Sequence, residues 1–117
     1  MRPLGTRDEE RRKAVEEAQE AAQSAARRRG DDLRAVMSTV AGRRFVWRLL
    51  NEVGTFSSVF SASPTVHAHA EGKRAVGVAL AAEAQVEARD FYVAMVEEAV
   101  EALPPALAPT VRESLPD

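Results

Sequence analysis

Residues 42–80 read GRRFVWRLLNEVGTFSSVFSASPTVHAHAEGKRAVGVAL, and two helices joined by an aromatic, serine-rich connection can be read from them. Phe45, Val46, Leu49, Leu50 and Val53 recur at three- and four-residue steps, the spacing of one helix face, and Gly54 supplies a stop. Thr55 to Ser63 has no helical period, so it reads as a loop, with Phe56, Val59 and Phe60 expected to tuck into the core. Ser63-Pro64 is a good N-cap followed by proline at the first helical position, which predicts a helix from there to about Glu87. Along it lie the small residues Ala68, Gly72, Ala75, Gly77 and Ala79. Glycine inside a helix costs roughly 1 kcal/mol against alanine, so Gly72 and Gly77 both point to close approach of another backbone.

Working toward the N-terminus, residues 7–29 consist almost wholly of strong helix formers, with Arg27, Arg28 and Arg29 where the helix dipole favours cations. Gly30 reads as the left-handed residue that ends this helix. Ala14, Ala18, Ala21 and Ala25 form a heptad-like stripe made only of methyl groups, which suits either a solvated helix or a docking arm for a partner. Asp31 or Asp32 then caps a short amphipathic helix carrying Leu33, Val36, Met37 and Val40, and Gly42 marks a break before the apolar helix.

Toward the C-terminus, Asp90 is expected to cap a last helix in which Tyr92, Met95, Val96, Ala99, Val100 and Leu103 share a face. Pro104-Pro105 stops it. Leu107, Val111 and Leu115 in the proline-interrupted tail suit a partner surface. No internal repeat and no strand pattern occurs. The reading is all-α: a small domain of about four to five helices, with an Ala-rich N-terminal helix at 1–30, a helical core at 31–103 and a tail at 104–117.

The whole chain has 117 residues, 45% of them apolar but only 5% aromatic, so large side chains for a wide core are scarce. Narrow helix packing, or a partner that completes the core, is expected. The absence of cysteine excludes disulfides and thiolate chemistry. No apolar run approaches the roughly 20 residues of a membrane span, and the first residues lack the apolar stretch of a secretory signal, so a soluble protein made in the cytoplasm is expected. Residues 1–74 hold 14 Lys/Arg against 10 Asp/Glu, and residues 75–117 hold 2 against 8. The basic part suits phosphate or an acidic protein face, although its excess is small beside that of dedicated nucleic-acid binders.

Arg43 and Arg44 open the apolar helix, and Lys73 and Arg74 sit beside Glu71 in the next one. If these helices pack antiparallel, an arginine of the first can meet Glu71 in a bidentate, partly buried pair. The alternatives are a phosphate contact and a basic surface for an acidic face of another protein. His67 and Glu71 are four apart on one face, but His69 points about 200° away from His67 and no further carboxylate cluster joins them, so no metal site is assigned. Ser57, Ser58, Ser61 and Ser63 lack an elbow, an oxyanion loop and an acid partner. No cofactor and no catalytic residue are assigned. Trp47 falls beside the main stripe, where it either widens the core or anchors an interface.

Gly-Arg-Arg-Phe, a Trp-containing Leu-Leu helix, a Gly turn, a Phe-x-x-x-Phe loop, then Glu-Gly-Lys-Arg and Gly-x-x-Leu form a two-part motif. Gly42, Arg43, Arg44, Phe45, Trp47, Leu49, Leu50, Gly54, Phe56, Phe60, Glu71, Gly72, Arg74, Gly77 and Leu80 occupy it. In this the chain resembles a family of small all-helical proteins encoded by short-tailed bacteriophages of the Bordetella-phage type. The match extends weakly from Asp32 to Glu98, with two departures: Lys73 stands for the usual first Arg of the second cluster, and Ser-Ala-Ser-Pro replaces a Gly-Asn-Ser type of turn.

The resemblance implies a non-enzymatic minor structural or assembly protein, made in the host cytoplasm and acting in the virion, in oligomeric or partner-bound form. Portal, capsid or tail proteins are the implied partners. The alternative is a DNA-associated packaging protein using the Arg/Lys clusters. The interaction residues assigned on these grounds are Arg43, Arg44, Trp47, Phe56, Phe60, Glu71, Lys73 and Arg74. The N-terminal helix lies outside the motif, as suits a segment that addresses a particular partner.

Overall fold

The computed structural model describes residues 4–58 and 61–105, and every regular element among them is helical. The order is α1 (Leu4–Met37), α2 (Val40–Glu52), α3 (Pro64–Glu87) and α4 (Arg89–Glu101). The all-α expectation of four to five helices therefore holds. The chain divides into two units, Met1–Asp32 and Leu33–Asp117.

In the first unit α1 exposes nearly every side chain, including Ala14, Ala18, Ala21 and Ala25, with Val15 at 55%. Gly30 does not end this helix and neither Asp31 nor Asp32 restarts it: α1 runs without interruption to Met37. Gly30 does not take a positive φ. One glycine costs only about 1 kcal/mol of helix, and Leu33 and Met37, just beyond it, gain burial by continuing the same helix.

In the second unit α2, α3 and α4 pack on one another, α2 most extensively on α4. Met37, Val46, Leu50, Ala81, Ala84, Ala88 and Met95 form the buried core, flanked by Leu33, Trp47, Leu80, Phe91 and Tyr92. Three of the seven core residues are alanines of α3 and its end, so the neighbouring helices come close without large side chains between them.

The break before α2 falls at Ser38–Thr39, three residues ahead of Gly42. The Thr39 hydroxyl accepts a hydrogen bond from the Gly42 amide at 3.0 Å, a proper N-cap. Gly42 serves a different need, because a Cβ there would run into the Val36 carbonyl. Val36 and Val40 are left 46% and 45% exposed on either side of the turn. Ser63 caps α3 as expected, accepting from the Val66 amide. Gly54, with φ of 78°, ends the turn after α2 in the left-handed conformation.

Of the two glycines in α3, only Gly77 answers to close approach. It is buried, and a Cβ there would collide with the Thr55 hydroxyl and lie 2.6 Å from Val53 Cγ2, whereas Gly72 faces open space. Thr55 is itself 6% exposed and its Oγ1 finds no hydrogen-bond partner. Asp90 is not the cap of α4. Ala88 holds that position without a side-chain bond, and Asp90 turns to Arg34 instead.

Candidate interaction surface

Arg43 lies on the buried side of α2, three residues before Val46 and seven before Leu50, so its guanidinium is carried inward with them. Its Nε donates to both carboxylate oxygens of Glu98 on α4, at 3.0 and 3.2 Å, and NH2 stands 2.8 Å from Oε1. NH1 donates to the Met37 carbonyl at the end of α1 at 3.0 Å. One side chain thus ties α2 to α4 and satisfies a terminal helix carbonyl.

Glu71 is therefore not the acid that meets the arginine pair. Arg43 finds its acid on α4, and the expected pairing with α3 gives way to it. Sequence reasoning passed over Glu98, although its spacing carries a signal: it stands three residues after Met95, at the edge of the buried face of α4.

A second pair reinforces the first. Arg34 forks onto Asp90, NH1 to Oδ1 at 2.9 Å and NH2 to Oδ2 at 3.1 Å. The hydrogen bond from Arg34 holds the Asp90 carboxyl below its ordinary pKa, and Arg34 is raised by the same bond. The guanidinium carbons of Arg34 and Arg43 stand 4.6 and 5.8 Å from the centre of the Phe91 ring.

With Arg43 so engaged, Arg44 is the cation of that cluster left facing outward. It lines a half-open groove of about 540 Å³ between α2 and α4, together with Val40, Trp47, Met95, Glu98 and Glu101. In the second cluster Lys73 is exposed, and Arg74 Nε donates to the Ser57 carbonyl at 3.2 Å, which holds the connection against α3. Both clusters thus spend one arginine on the fold, which reduces the charge open to phosphate.

Trp47 is half-buried at the edge of the core, and its ring centre lies 5.5 Å from that of Phe56, tilted by 30°. Phe56 does not tuck into the core: it is 54% exposed, because Thr55 takes the inward position under Gly77. Phe45 is likewise 52% exposed rather than part of the buried stripe, with the Arg48 guanidinium 5.4 Å above its ring. Val59, Phe60 and the tail residues Leu107, Val111 and Leu115 lie outside the described residues.

His67 is half-buried with Nδ1 unpartnered, and His69 is exposed. Among the described residues no three His, Asp or Glu side chains converge as metal ligands, and no helix is long and apolar enough to cross a membrane.

No curated protein and no solved structure matches the chain. The sequence model of the Bbp19-like phage protein family matches residues 33–97, from the last turn of α1 through most of α4. That match takes in Arg34, Arg43, Trp47, Phe56, Glu71, Asp90 and Phe91 and more than half of the sequence: the chain belongs to the Bbp19-like phage protein family.

Proposed function

We propose that this phage protein is a non-enzymatic minor structural or assembly component of the virion, of the Bordetella-phage type, that works by protein–protein contact. The Trp47–Phe56 pair carries the reading. Two aromatic rings in tilted contact, one of them 54% exposed, lie where Trp47 and Arg44 line the groove. Large aromatics and arginine are the residues that dominate binding energy at interfaces, and leaving Phe56 in water has no benefit for folding. Membership of a phage protein family is in keeping with this reading, and the setting proposed is the host cytoplasm during assembly and then the virion, with a portal, capsid or tail protein as partner.

The test is light scattering of the pure protein with and without the portal, capsid and tail proteins of its phage. A stable complex that weakens at least tenfold in Phe56→Ser, with helicity unchanged, is expected for an aromatic hot spot, at roughly 1.4 kcal/mol per tenfold. Failure to bind any of these proteins overturns the proposal.

A further inference from the structure

Two exposed strips of complementary charge run along the outer faces of α2 and α4, and Val40, Arg44 and Glu101 carry them to the rim of the groove between those helices. On α2, Val40, Arg44 and Arg48 follow one another at four-residue steps, and all three are exposed. On α4, Val93, Glu97 and Glu101 do the same. Each strip is therefore an apolar residue followed by two like charges on successive turns, about 6 Å apart along the axis. Among the described residues Arg44, Glu97 and Glu101 form no ion pair, and Arg48 has only a 3.8 Å contact with Glu52. Phe45, 52% exposed, widens the apolar part of the α2 strip.

We infer that the occupant of this face is a second copy of the chain, paired by laying the α2 strip of one protomer along the α4 strip of the other. The alignment sets Val40 against Val93 of the partner subunit, Arg44 against Glu97 of the partner subunit, and Arg48 against Glu101 of the partner subunit. Arg44 and Glu101 line the two walls of one groove, so a two-fold axis makes the contact twice and closes the dimer. The same four charges repel any pairing of like strips, which sets the register. Exposed ion pairs are individually weak, so the dimer is salt-sensitive. None of this depends on which virion protein the aromatic pair meets.

The experiment is analytical ultracentrifugation of the full chain and two charge-reversed variants, Arg44→Glu/Arg48→Glu and Glu97→Arg/Glu101→Arg, each checked for native helicity by circular dichroism. The parent is expected to be dimeric at about 50 mM salt and to dissociate toward monomer at about 500 mM. Each variant alone is expected to need at least about tenfold higher concentration to associate. An equimolar mixture of the two is expected to recover association, because both contacts of the mixed pair are complementary, one in the parent sense and one with the charges exchanged. A parent that stays monomeric, a dimer indifferent to both reversals, or variants that remain apart on mixing each overturns the inference, and none of these outcomes bears on binding to virion proteins through Phe56.

Discussion

Arg43 and Glu98 stand fifty-five positions apart in the chain, and the Arg43 guanidinium holds both oxygens of the Glu98 carboxylate while also reaching the Met37 carbonyl. The Arg43 side chain is 11% exposed and the Glu98 side chain 36%, so the pair is neither a solvated surface bridge nor a fully desolvated one. Its strength comes from being complete: removing Glu98 leaves the largely buried Arg43 guanidinium without its carboxylate, and removing Arg43 leaves Glu98 and the Met37 carbonyl without their donor.

Arg43→Ala is therefore expected to destabilise the protein by about 3 kcal/mol in chemical denaturation, because Glu98 and the Met37 carbonyl both lose their donor. Arg43→Lys keeps the charge but not the fork, and is expected to recover only part of that loss. Glu98→Gln keeps one acceptor oxygen and is expected to cost about 1 kcal/mol. A loss below about 0.5 kcal/mol for Arg43→Ala would show that the fork does not hold the helices.

The two glycines of α3 are expected to respond with opposite signs. Gly72→Ala fills open space on a helix and is expected to stabilise by about 0.5–1 kcal/mol. Gly77→Ala drives a methyl group into Thr55 and Val53 and is expected to destabilise by about 1–3 kcal/mol despite the same gain in propensity. Thermal melts of the two variants side by side decide this.

Leu50 is fully buried, and Leu50→Ala is expected to cost about 2–5 kcal/mol by urea denaturation, as is usual when a cavity is opened in a packed core. Val86→Ala, at a position 81% exposed, is expected to change stability by less than about 0.5 kcal/mol.

Asp90 gives the protein a pH-dependent element. Its carboxyl is held below the ordinary value by the hydrogen bond from Arg34, so the contribution is fully present above the unfolded-state pKa and is lost as pH falls through the lower folded-state value. Asp90→Asn is expected to flatten the stability profile between about pH 5 and pH 2 and to leave its shape above about pH 6 unchanged. Because both groups face solvent, the effect is expected to shrink with added salt. Urea midpoints of parent and variant across that range, at low and high salt, measure it.

Helix content was legible in residues close together along the chain. The Ser63-Pro64 start of α3, the left-handed Gly54 and the Val46–Leu50 face all follow from spacings of at most a few residues, where backbone hydrogen bonding and side-chain period act locally. Local rules failed where two of them competed. Gly30 reads as a stop, yet the burial of Leu33 and Met37 carries α1 through it. Asp90 reads as a cap, yet Arg34 claims its carboxylate.

Pairing across the fold was not legible at all. Arg43 had two acids of equal chemical merit, Glu71 and Glu98, and although α3 and α4 both pack on α2, the side of α2 that carries Arg43 meets Glu98. Gly72 and Gly77 look alike in sequence, and only the placement of Thr55 beneath α3 separates them. Phe56 carries the chemistry of a core residue but stays outside because that same Thr55 occupies the inward place. Short-range hydrogen bonding and periodicity set which residues form helices. Excluded volume and the one guanidinium-carboxylate fork between α2 and α4 set which faces meet, and those terms exist only once distant parts of the chain are side by side.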